Sequence, residues 1–109
     1  MILADAEEEI RQALGRMAEF SKDHLPVLII EHPASSVFVQ FCGSAEEGLV
    51  FDVPAFNLTK HLWRSPGWQH LKPVLDDAAA EAVSGLFRQG VPLTDDIVLH
   101  ERLQRAASA

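Results

Sequence analysis

The stretch VFVQFCGSAEEGLVFDVP, residues 37–54, constrains the fold more than any other part of this 109-residue chain. It reads as a β-hairpin. Val37, Val39 and Phe41 point one way in the first arm, and Phe38, Gln40 and Cys42 point the other. In the second arm Leu49, Phe51 and Val53 share a face, with Val50 and Asp52 opposite. A half-buried strand alternates apolar with polar side chains. Here one face is wholly apolar, and the other mixes Phe38, Cys42 and Val50 with Gln40 and Asp52. The loop GSAEEG carries a glycine at each end and two acids, which suits a turn.

The flanking segments extend this hairpin. VLIIEH, residues 27–32, is a strand rich in branched side chains, closed by Pro33. The expected result is a three-stranded antiparallel meander. A helix is expected before it, over 5–22. Asp5 and Glu8 have capping-box spacing, Glu7, Glu8 and Glu9 suit the positive helix start, and Lys22 suits its end. Ala6, Ile10, Leu14, Met17 and Phe20 form its apolar stripe. After Pro54, Asn57 is a cap for a short helix over 58–64, and RSPGW, 64–68, is a turn. Pro73 opens a helix running to Gln89, with Gly90 at its C-cap. Thr94 caps a last helix over 95–106, for which the competing reading is an edge strand. AASA is a frayed tail. The expected fold is α+β, a single domain over 1–109. Its N-terminal helix, three-stranded meander and two or three C-terminal helices pack on one sheet.

Composition narrows the function classes. Nine basic and 16 acidic residues give a net charge of −7. Such a chain has no basic cluster to neutralise phosphates, so nucleic acid and an anionic membrane surface are disfavoured as partners. A basic or amphipathic protein segment is attracted instead. MILADAEEE is acidic where a signal peptide is basic, and no run approaches the ~20 apolar residues of a membrane span. Cys42 is the only cysteine, which excludes an internal disulfide and fits a reducing cytoplasm. The sequon at Asn57 is then incidental.

The search for catalytic chemistry yields no catalytic, metal or cofactor residues. Cys42 lies in an apolar strand, as an inert thiol would. A small hydrolase or transferase using it remains the third reading. The five histidines, at 24, 32, 61, 70 and 100, lack metal-ligand spacing. Asp76–Asp77 and Asp95–Asp96 fall in the first turns of expected helices, where the dipole favours them. Glu46–Glu47 is a solvated loop. Trp63 and Trp68 flank the RSPG turn, and core packing is the simpler reading than a ligand platform.

A surface remains. If helices cover the face of Val39 and Phe41, the other face exposes Phe38, Cys42 and Val50 with half of VLIIEH. That half is either Leu28, Ile30 and His32 or Val27, Ile29 and Glu31. The expected protein-binding set is Leu28, Ile30, Phe38, Gln40, Val50 and Asp52, with Gln40 and Asp52 fixing a partner's register by hydrogen bonds. The occupant is a protein or peptide client, or a second copy in a homodimer. The alternative is an immunity protein that neutralises a basic toxin by direct binding.

The segments LPVLIIEHP, VFVQFCG and EEGLVFDVPAFN resemble the core of the TY-Chap superfamily, which joins class I type III secretion chaperones with YbjN-like proteins. Resembling members have a leading helix, a VLxxExP strand, an aromatic-Val-Gln-Phe strand, an acidic loop and a Gly-Leu strand. AAAEAVSGLFRQGVPLTDDIVLHERL is similar to the closing part of actinobacterial members. The resemblance implies an α+β fold with helices on one side of an antiparallel sheet. It also implies small acidic, often dimeric, non-catalytic proteins that bind extended client segments. Secretion chaperones carry a further pair of strands before their final helix, where this sequence shows helical patterns.

Overall fold

The computed structural model describes residues 1–19, 24–44, 48–65 and 67–105. Phe20, Lys22, the Glu46–Glu47 loop and the AASA tail lie outside the described residues. Among those described, the chain forms one antiparallel five-stranded sheet and two α-helices, an α+β architecture. In chain order these are α1 (Glu7–Glu19), β1 (His24–His32), β2 (Val37–Ser44), β3 (Gly48–Val53), β4 (Leu58–Trp63), α2 (Lys72–Arg88) and β5 (Val98–Arg105). The sheet order is β4-β3-β2-β1-β5.

The first helix follows the expected stripe. Ala6, Ile10, Ala13 and Leu14 are fully buried, and Met17 nearly so. Asp5 does not cap it; a 3₁₀ turn over Leu3–Asp5 leads into α1. Glu8 turns outward to Arg11 and Gln12 instead. Both α1 and α2 pack on the same sheet face and touch each other, with Arg11 and Asp76 3.7 Å apart. Ala78, Ala79, Ala82 and Gly85 give α2 a face of small residues. A Cβ at Gly85 would stand 3.2 Å from both Phe51 Cζ and Val39 Cγ1, so the helix sits as close as a missing side chain allows. Opposite it the inner sheet face is solid. Leu28, Ile30, Val39, Phe41, Leu49, Phe51 and Val53 are buried, and the cross-strand rings of Phe41 and Phe51 lie 4.8 Å apart. Trp68 closes one end of this core, 1 % exposed.

Two expected helices are strands, so among the described residues the C-terminal half holds one α-helix rather than two or three. Residues 58–63 form β4. The 3₁₀ turn Pro54–Phe56 ends at Asn57, whose φ of 50° turns the chain back along β3. The apolar pair Leu62–Trp63 misleads a pattern reading because adjacent residues of a strand should face opposite ways. An irregularity opposite Leu49/Val50 resolves this: Val50 pairs with His61 and Leu49 with Trp63, leaving Leu62 as the extra residue. Both Leu62 and Trp63 then pack against the core.

The last segment is also a strand, as the competing reading had it. β5 pairs with β1 through eight residue partners, from His24↔Arg105 to Glu31↔Val98. Its approach is built by a Schellman ending to α2. Val91 N–H donates to Leu86 O at 3.1 Å and Gly90 N–H to Phe87 O at 3.0 Å, with Gly90 at φ 92°. The chain then runs beside its own beginning: Leu3 N–H donates to Asp95 O, Ala4 N–H to Leu93 O, and Ile97 N–H to Met1 O. Ile97 is buried there, just before the strand rather than on a helix. Ladder pairing with an otherwise open β1 outweighs the weak local helix pattern of DIVLHERL.

Candidate functional site

The strand register lays out the outer sheet face. One row runs His61, Val50, Cys42, Val27, Arg102 across β4, β3, β2, β1 and β5. The next runs Thr59, Asp52, Gln40, Ile29, His100. A shorter third row holds Phe38, Glu31 and Val98. Both helices lie on the opposite side, and no described element covers this face. Its apolar members Val27, Ile29, Phe38, Cys42 and Val50 are half-buried by one another, and Val98 is 41 % exposed.

Phe38, Gln40, Val50 and Asp52 stand on this face, as the sequence reading expects. Leu28 and Ile30 do not. Both are 0 % exposed in the core, and Val27, Ile29 and Glu31 take the outward places in β1. The connection over 33–36 decides the parity by pairing His32 with Val37, which sends even-numbered β1 residues inward. VLII is apolar on both faces, so its sequence alone could not choose. Sequence reasoning also missed His100, Arg102 and Val98, because their segment reads as a helix. The alternation of Val98, His100 and Arg102 with Leu99 and Leu103 was the available signal.

Two shallow depressions lie on the face. One, of ≈250 Å³, has Ile29 and Phe38 as its apolar floor, with Glu31, His100 and Arg102 around it. His100 Nε2 is 3.4 Å from Glu31 Oε1. The other, of ≈290 Å³, is formed by Gln40, Asp52, Pro54, Asn57, Leu58 and Thr59. Gln40 Nε2 donates to Asp52 Oδ2 at 3.4 Å. Burial pushes the Cys42 thiol pKa up, and the Asp52 charge adds to this, so the thiolate is disfavoured. A wider cleft of ≈450 Å³ lies between β4 and α2, but its Lys60 and Glu81 are already ion-paired to each other.

Elsewhere, His32 is the one buried polar side chain described. Its Nε2 lies 2.9 Å from Asp95 Oδ2 and its Nδ1 2.6 Å from Ser35 Oγ. An ionised carboxylate only accepts, so Nε2–H donates to Asp95 and, in the neutral ring, Nδ1 accepts the Ser35 O–H. The order resembles nucleophile, base and orienting acid. However, Asp95 and Asp96 both line the adjacent hollow, a field that opposes a developing oxyanion. The ring acts as a latch between the β1–β2 turn and the entry to β5. Asp95 and Asp96 therefore sit before a strand, not in a helix turn. Among the described residues no group of His, Cys, Asp or Glu is arranged to hold a metal ion. No described helix is long and apolar enough to cross a membrane. Trp68 is a core residue and Trp63 packs against the core.

Comparison with protein-family models, with curated proteins and with solved structures found no match.

Proposed function

We propose that this chain is a non-enzymatic, cytoplasmic protein- or peptide-binding domain that takes an extended client segment, or a second copy of itself, on the outer sheet face. One observation carries the reading: among the described residues, the five strands are covered by helices on one side only, and the other side carries Val27, Ile29, Phe38, Cys42, Val50 and Val98. Exposed apolar groups clustered this way mark interaction sites. The resemblance to TY-Chap proteins supports the same reading.

The size of the face sets the expected strength. The thirteen outward positions, each taking ~4.8 Å across the strands and ~7 Å along them, span about 430 Å² of flat area. Two copies face to face would bury about 850 Å², just under the ~1,000 Å² of a stable specific interface. A homodimer on this face is therefore concentration-dependent, and one client segment can displace the partner copy. The net charge of −7 also favours the second reading, an immunity protein that captures a basic toxin through the same face. Co-expression with the product of the neighbouring gene separates the two.

The test is the double variant Phe38→Asp/Val50→Asp. The fold should survive, read by circular dichroism, while self-association and binding of a hydrophobic dye are lost. A folded variant that keeps both shows that this face is the wrong one.

A further inference from the structure

We propose that the depression between β3 and β4 is a subsite for one arginine side chain of the bound segment, so the partner is basic where it crosses Asp52. This rests on the outer face being the binding surface. Among the described residues the Asp52 carboxylate has only Gln40 as a partner, and Gln40 gives it an N–H, leaving the amide oxygen free. Several carboxylates on the helices and at the sheet's rim already have a cation: Glu8 and Asp76 have Arg11, Glu81 has Lys60 and Glu101 has Arg16. The nearest lysine cannot serve. Lys60 follows Thr59 in β4, and strand alternation sends it to the other side, onto α2.

The lining fits a guanidinium on an apolar stem. Pro54 and Leu58 bring aliphatic surface to the lining, and Asp52, Gln40, Asn57 and Thr59 bring side chains that each carry an acceptor oxygen. A planar fork of five N–H donors uses several such acceptors at once, which an ammonium does less well. The hollow of ≈290 Å³ has room for one long side chain rather than a larger ligand. Phe38, on the floor of the apolar depression, lies on the strand next to Asp52 and one row along, ~8 Å away. Same-side residues two apart in an extended chain are separated by ~7 Å. A segment crossing the strands would thus place an arginine at Asp52 and a large apolar side chain two residues away at Phe38.

The experiment is an amide chemical-shift titration of the full chain with N-acetyl-arginine amide, against the neutral citrulline analogue. Saturable shifts should centre on Asp52, Asn57 and Thr59, be absent with citrulline, and weaken at least about tenfold in Asp52→Asn, which loses a charge-assisted pair. Equal shifts with citrulline, an unchanged titration in Asp52→Asn, or shifts centred on Glu7–Glu9 of α1 would each overturn the subsite. The last would indicate bulk attraction to an acidic protein. Failure here leaves the apolar face untouched, because that face is read by Phe38→Asp and self-association.

Discussion

The two faces of the sheet use similar residues to opposite ends. Phe41 and Phe38 belong to one strand, three residues apart. Phe41 is fully buried in the core with its ring tilted against that of Phe51, whereas Phe38 is half-buried on the outer side. Val39 and Val50 differ in the same way. Neither hydrophobicity nor strand propensity separates these pairs. Parity along the strand does, together with which side the helices take. Inner positions therefore hold the fold, and outer positions carry the proposed recognition surface.

The comparison can be broken by substitution. Phe41→Ala removes a fully buried ring and should cost about 3–5 kcal/mol of unfolding free energy, whereas Phe38→Ala should cost less than about 1 kcal/mol. Chemical denaturation of both variants reads the difference. Similar losses would mean that the outer face is core. Among the described residues, His32 is the one buried polar side chain on the inner side. His32→Ala frees Ser35 and Asp95 and should cost about 1–2 kcal/mol, limited because Asp95 is already 41 % exposed. Arg16→Ala breaks a bidentate pair to Glu101, with contacts of 2.9 and 3.1 Å, at the rim where α1 meets β5. Both partners are about half exposed, so the loss should stay below about 1 kcal/mol and shrink with added salt.

The sequence made most of this comparison legible, and the misses have physical causes. The alternation of β2 and β3 was readable because Gln40 and Asp52 mark one side. The stripe of α1 and the Pro73-to-Gly90 frame of α2 were equally plain. β1 was ambiguous because VLII has no polar marker, and only the pairing of His32 with Val37 resolves it. β4 was hidden by an extra residue in the ladder, and β5 by a segment whose Ile97, Leu99 and Leu103 also suit a helix. Two of the five strands of the outer face are those unread ones, so Arg102 and His100 were not anticipated.

The smallest expected effect sharpens the outer side. Burial and the Asp52 charge both raise the Cys42 pKa, so alkylation at pH 8 should be slower than for a free cysteine. Removing that charge in Asp52→Asn lowers the pKa and should speed the reaction modestly. A slower reaction in the variant would mean that Asp52 does not act on the thiol.

The most direct test of the outer face as a recognition surface is the solution mass by light scattering over a wide concentration range. The account predicts a mass that rises from the 12.0 kDa chain towards twice that value, and a Phe38→Asp/Val50→Asp variant that stays folded and monomeric. A native chain that remains at 12.0 kDa throughout and binds no hydrophobic dye would contradict it.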